Sequence, residues 1–299
     1  MISPSKKIFS LISGLISAIF LFVSCAQTAP PEPTATPEPP TPTPEPTATA
    51  VPEGYIEGWE LVWQDEFDGT EIDLSKWSHE VNGRGGGNSE LQYYTDFPEN
   101  SFVENGNLVI QALNPEKRYL GRDYTSARMR TLGQGDWKYG RFEARIRLPE
   151  GQGIWPAFWM LPTEWKYGGW PSSGEIDIME MVGHEPDTIH GTLHYGSLGD
   201  HTYTGKPISL PNGEKFIDEF HVFAVEWEEG EIRWYLDGEL YQTQSVWHTK
   251  NADFPAPFDQ KFHIILNLAV GGNWPGSPDE TTVFPQRMEV DYVRVYQRP

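Results

Sequence analysis

The stretch Arg141-Phe142-Glu143-Ala144-Arg145-Ile146-Arg147-Leu148 alternates charged and apolar residues without a break. Successive side chains point to opposite faces only in an extended strand, so this pattern buries one face of a sheet and wets the other. The period recurs at Phe223, Val225 and Trp227, and again at Ile232, Trp234 and Leu236. Asp237-Gly238 follows directly, a pair whose tolerance of positive φ marks a two-residue hairpin. Leu108-Val109-Ile110 and residues 262–268 and 288–297 are rich in β-branched and aromatic side chains and read as further strands. No stretch sustains a 3.6-residue period over three turns, and no internal repeat is visible. The pattern predicts an all-β domain, a sandwich or barrel, over residues 59–299.

The front of the chain is a different object. All twelve tryptophans lie at or after Trp59. Lys6 and Lys7 precede an uncharged apolar run over residues 8–23. That run suits a signal peptide better than a spanning helix, which needs about 20 apolar residues. It ends in Phe22-Val23-Ser24-Cys25, which resembles a bacterial lipobox with Phe22 in place of the usual leucine. The resemblance implies lipidation of Cys25, the sole cysteine, and two acyl chains would anchor it stably. The alternative is an ordinary secretory signal cut near Ala26. Residues 26–58 hold ten prolines among Thr, Ala and Glu, a composition that buries no core and favours an extended linker. The expected order is a lipoprotein-type signal peptide at 1–25, a disordered Pro/Thr-rich linker at 26–58, and the folded domain at 59–299. The expected location is extracytoplasmic, tethered to the cell surface or secreted.

Charge narrows the partners. Lys+Arg is 22 against Asp+Glu 43, a net −21, so the chain repels phosphate backbones and nucleic acid is not the expected partner. One cysteine excludes an intrachain disulfide and a cysteine zinc cage. Gly85-Gly86-Gly87 lacks a following Lys-Ser/Thr and reads as a loop, not a phosphate cradle. A monomer is the default expectation.

The chemistry concentrates in Gly174-Glu175-Ile176-Asp177-Ile178-Met179-Glu180-Met181. Glu175 and Asp177 share a strand face, and Glu180 joins them if a β-bulge near Met179 inserts one residue. Like charges so close push their pKa values apart, which a two-carboxylate glycosidase needs. An exposed acidic face and a calcium site are the competing readings. Against the former, the intervening residues are Ile, Ile and Met.

Here a specific resemblance appears. Glu-Ile-Asp-Ile-Met-Glu resembles the bulged E-x-D-x-x-E motif of glycoside hydrolase family 16. The Trp63-Gln64-Asp65-Glu66-Phe67 segment resembles the family's opening strand. The stretch from Gly153 through Trp155-Pro156-Ala157-Phe158-Trp159-Met160-Leu161-Pro162 resembles its laminarinase branch. Segments at His190–His194, Asn267–Gly272 and Asp291–Tyr296 agree in order. The resemblance implies a β-jelly-roll sandwich of two antiparallel sheets with a concave cleft. It implies a retaining endo-glycosidase cutting β-1,3-glucan, with Glu175 as nucleophile, Glu180 as acid/base and Asp177 assisting. Other readings are mixed-linkage β-1,3-1,4-glucan, an algal galactan, or glycan binding without catalysis. No cofactor is expected for catalysis.

Glycan clefts combine aromatic platforms with hydrogen-bonding groups. The resemblance places Trp159 and Trp170 beside the scissile sugar, His194 near the acid/base, and Asn88, Glu90 and Arg128 on the substrate. Trp155 and Trp165 stand between platform and core, and Trp274 is placed on the rim. The family's structural calcium would map to Glu66, the backbone of Gly106, and Asp291. An arginine partner would explain Asp291 equally well.

Overall fold

The computed structural model describes residues 54–299; the expected signal peptide, Cys25 and the linker up to residue 53 lie outside the described residues. Among the described residues the strands are β1 (Glu60–Asp65), β2 (Ser78–His79), β3 (Gln92–Tyr94), β4 (Ser101–Glu104), β5 (Asn107–Ala112) and β6 (Tyr124–Ser126). Next come β7 (Arg128–Arg130), β8 (Gly140–Arg147), β9 (Ile154–Pro162), β10 (Glu175–Glu180), β11 (Thr188–Ser197) and β12 (Asp200–Ser209). The last are β13 (His221–Glu228), β14 (Glu231–Leu236), β15 (Glu239–Gln244), β16 (Phe262–Val270) and β17 (Gln286–Gln297).

Two large antiparallel sheets result. One runs β15-β14-β13-β8-β17-β5-β4, with β1 added on β17; the other runs β12-β11-β10-β9-β16-β7-β2. A short parallel pair, β3 with β6, stands apart. The alternation of 141–148 appears as β8, whose Phe142, Ala144 and Ile146 are buried in the shared core. Asp237 and Gly238 both take positive φ, 50° and 83°, and close the β14–β15 hairpin as their residue types require. The opening strand is shifted from the expected span. It ends at Asp65, and Phe67 turns away with φ 51° to stack on Trp77.

The sheets pack face to face around one apolar layer. From the seven-stranded sheet come Phe158 and Met160 of β9, Ile176, Ile178 and Met179 of β10, and Ile264, Leu266 and Leu268 of β16. From the eight-stranded sheet come Phe223, Val225, Trp227, Ile232 and Trp234. On the seven-stranded sheet the residues that alternate with these core residues face outward, and they build the site.

Candidate active site

On β9 the outward residues are Trp155, Ala157, Trp159 and Leu161; on β16 they are Asn267 and Ala269; on β10 they are Glu175, Asp177 and Glu180. Together they line a cleft of about 520 Å³. Strict alternation would put Glu180 in the core, and a bulge prevents it. Along β9 the pairing steps from Asp177↔Trp159 to Met179↔Phe158, so Ile178 is the extra residue. Along β11 it steps from Asp177↔Thr192 to Glu180↔His190. The inserted residue is therefore one position before Met179. Ile178 and Met179 both point into the core, and the third carboxylate returns to the cleft.

The opposite sheet pins this bulge. Trp234 of β14 reaches through the core and donates its indole N–H to the Asp177 backbone carbonyl at 2.8 Å. Gly191 of β11 makes room for it, since a Cβ there would stand 2.4 Å from the Trp234 ring.

Each acid has a distinct surrounding. Glu175 Oε2 accepts from Trp170 Nε1 at 3.1 Å. Glu180 Oε1 accepts from Trp155 Nε1 at 3.0 Å. Asp177 is only 2% exposed, and its Oδ2 lies 3.2 Å from His194 Nε2, which is also 3.8 Å from Glu175 Oε1. Burial pushes Asp177 well above the usual carboxylate range. Burial, then the neighbouring Asp177 charge, pushes Glu175 up to about 8. The same two causes push Glu180 up to about 8. Three such acids cannot ionise together.

The asymmetry lies in the smaller contributions. The Arg128 guanidinium favours the Glu175 anion, and the Glu180 charge opposes it. Glu180 gains the Trp155 hydrogen bond, which favours its anion, and faces the Glu90 charge, which favours its proton. Asp177, once neutral, removes a like charge from both neighbours.

The remaining expected residues gather on the same cleft. Asn88, Glu90, Arg128, Trp155, Trp159, Trp170, His194 and Trp274 all line it, as does Trp165. Trp159 donates to Asn267 Oδ1 at 2.7 Å and carries the Arg128 guanidinium 4.7 Å over its ring. Arg128 is buried and paired with Glu80 at 3.3 Å. Glu90 is also buried, and its Oε2 accepts from Gln92 at 2.6 Å and Tyr94 at 3.1 Å. Trp155 is a buried partner of Glu180 as well as a wall, while Trp274 stands against it edge-on at 5.4 Å and is exposed at the rim. His194 approaches Asp177 and Glu175, and the direct partner of Glu180 is Trp155.

Sequence reading missed Asn267, which orients Trp159, and His201, whose Nε2 meets His194 Nδ1 at 2.9 Å. The first was visible only as part of a longer matched segment. The second is brought in by the β11–β12 hairpin, for which Ser197-Leu198-Gly199-Asp200 was the available signal. Glu175, Asp177 and His194 also place one donor atom each within 4.8 Å of one another, a set able to hold a metal ion.

The proposed calcium residues lie on the other sheet. Glu66 is held by Arg294 through both oxygens, at 2.8 and 2.7 Å, and Asp291 Oδ2 accepts from Arg145 at 2.7 Å. Gly106 sits in the β4–β5 turn with φ 76°. As arranged, both carboxylates are already matched by guanidinium groups. Asp291 therefore has the arginine partner that the alternative reading called for.

A jelly-roll sandwich with paired glutamates on a bulged strand in an aromatic cleft defines a glycoside hydrolase. Residues 89–294 match the model of the glycosyl hydrolases family 16. A beta-glucanase from Rhodothermus marinus is 49% identical over 250 residues, covering 80% of this chain and 85% of that protein. A glucan endo-1,3-beta-glucosidase from Cryptopygus antarcticus is 41% identical over 259 residues, covering 79% of this chain and 91% of the relative. The catalytic domain of an endo-1,3-beta-glucanase (laminarinase) from Thermotoga petrophila superposes with a TM-score of 0.73 at 47% identity, covering 81% of this chain and 99% of that one. The chain belongs to glycosyl hydrolases family 16.

Proposed function

We propose that the chain is a retaining endo-β-1,3-glucanase acting on laminarin-like polysaccharide, with Glu175 as nucleophile and Glu180 as acid/base. The observation that carries the assignment is the bulge of β10, which sets Glu175, Asp177 and Glu180 together on the floor of the aromatic cleft. Arg128 favours the Glu175 anion, and Glu90 favours the proton on Glu180. Its relatives named as beta-glucanase, endo-1,3-beta-glucosidase and laminarinase support the substrate.

In the first step the Glu175 carboxylate attacks the anomeric carbon, and Glu180 gives its proton to the departing glycosidic oxygen. A glycosyl ester on Glu175 and a shortened glucan result. In the second step Glu180, now ionised, takes a proton from water as the water oxygen attacks the same carbon, and the Glu175 carboxylate leaves. One water is consumed and the configuration is retained. Neutral Asp177 keeps a second negative charge away from Glu175. Trp159 and Trp170 offer apolar faces to the C–H surface of the sugar.

Reducing-end release on laminarin, lichenan, agarose and carrageenan tests the reading. Release from laminarin that Glu175→Gln abolishes, with the fold intact, is expected; absence of release from every glucan overturns it. Release from lichenan alone would move the substrate to mixed-linkage glucan.

Two further proposals concern placement and stability. Acylation of Cys25, with residues 26–58 as a stalk, would hold the enzyme at a membrane surface. Transfer of the protein from the membrane fraction to the medium in Cys25→Ser tests it. A structural calcium at Glu66, Gly106 and Asp291 would require Asp291 to exchange Arg145 for the ion. A melting temperature lowered by chelator would support that site, and an unchanged one counts against it.

A further inference from the structure

We propose that His201 is a positioning residue that fixes the tautomer of His194, so that His194 presents an N–H, and not a lone pair, to Asp177 and Glu175. The proposal rests on the reading of Glu175 as the cluster's anion. Its geometry comes from the β11–β12 hairpin. Tyr203 opposes His194 and His201 opposes Gly196, so the antiparallel return carries His201 back over the same sheet face as His194.

The two imidazoles meet in one particular way. Their planes differ by 13° and their centroids are 5.1 Å apart, while Nδ1 of His194 and Nε2 of His201 are 2.9 Å apart. Rings so nearly parallel, with nitrogens so much closer than centroids, lie edge to edge and not face to face. The contact is a hydrogen bond along the ring edges. One nitrogen must donate and the other accept, and each neutral imidazole has one of each.

The far nitrogen of His194 decides the direction. Nε2 lies 3.2 Å from Asp177 Oδ2 and 3.8 Å from Glu175 Oε1. Asp177 Oδ2 is buried and has no hydrogen-bond partner, so the 3.2 Å approach of Nε2 is a close contact and not a formed hydrogen bond. A lone pair at Nε2 would be repelled by the Glu175 anion, whereas an N–H there is attracted to it. His194 must then accept at Nδ1, and the donor available to it is His201 Nε2–H. The relay runs from His201 to His194 to the carboxylates.

The groups around His201 keep it in that role. Trp170 packs on its ring at 4.6 Å from the loop before β10, and the same indole donates to Glu175. His194 faces it from β11, and Tyr203 lies 6.0 Å away on its own strand. The adjacent Asp200 is paired with Lys250 at 3.3 Å. Burial holds His201 below the usual histidine range, which keeps it neutral near pH 7.

Long-range 1H–15N correlation spectra of the full chain test the proposal directly. His194 is expected as the Nε2–H tautomer. His201→Phe keeps a ring on Trp170 but has no donor, and His201→Gln keeps a donor without the ring. His201→Phe is expected to shift His194 toward Nδ1–H and to lower kcat on laminarin about 10-fold with KM little changed. His201→Gln is expected to restore most of both. A wild-type His194 found as Nδ1–H overturns the proposal, as does a His201→Phe variant with unchanged tautomer and kcat. Should His201→Phe not fold, the wild-type tautomer and the His201→Gln rate still decide. The tautomer is read without substrate, so its failure is separable from failure of the Glu175 assignment.

Discussion

Trp155→Phe isolates one hydrogen bond at the acid/base. The indole N–H lies 3.0 Å from Glu180 Oε1, and a phenyl ring keeps most of the edge-on packing against Trp274. The donor favours the ionised form of Glu180, so its removal makes ionisation harder and raises the pKa. A hydrogen bond to a charged group contributes about 1.5–3 kcal/mol. At about 1.4 kcal/mol per unit, the pKa rises by about one to two units. The alkaline limb of kcat/KM therefore moves up, while the acid limb, set by Glu175 with its separate Trp170 donor, stays nearly fixed. The assay is kcat/KM on a soluble laminari-oligosaccharide across about pH 4 to 10. An alkaline limb that stays in place, or moves down, refutes the assignment of Glu180 as the protonated acid.

Other consequences are equally direct. Glu175 and Glu180 are raised from 4.5 to about 8 on folding, so between those values the folded chain binds more protons than the unfolded one. Stability contributed by the protons that the cluster retains on folding is therefore present at low pH and lost as pH rises through that window. The melting temperature should fall between about pH 5 and 8, and Glu175→Gln should flatten that fall; an identical slope in the variant would count against it. Trp234→Phe leaves the Asp177 carbonyl buried without its donor and should cost about 1–3 kcal/mol in denaturant unfolding, with kcat reduced as the bulge loosens. Unchanged stability would show that Trp234 does not hold the catalytic strand.

Much of this was legible because period-2 alternation is a local property. Arg141–Leu148, Phe223–Trp227 and the Asp237-Gly238 turn each declare their face or turn within a few residues. The catalytic strand was legible for the complementary reason. Glu180 breaks the alternation set by Glu175 and Asp177, and one inserted residue repairs it. What stayed hidden depends on distant segments. The order β8-β17-β5 brings together chain stretches far apart, so the Arg145–Asp291 pair could be named as an option but not chosen. Trp155 was placed between core and cleft, and it is in contact with both, a situation no single-strand pattern describes. His201 joins the site only through the hairpin register that lays β12 beside β11.

The central claim is that Glu175 carries the covalent intermediate. Incubation with a laminaribiosyl donor fluorinated at C2, whose second step is slowed, followed by peptide mass mapping, reads the labelled residue. A glycosyl label on the peptide at Glu175, with label lost in Glu175→Gln, is the expected result. A label on Glu180 or Asp177, or turnover of laminarin with inversion at the anomeric carbon, would contradict the account.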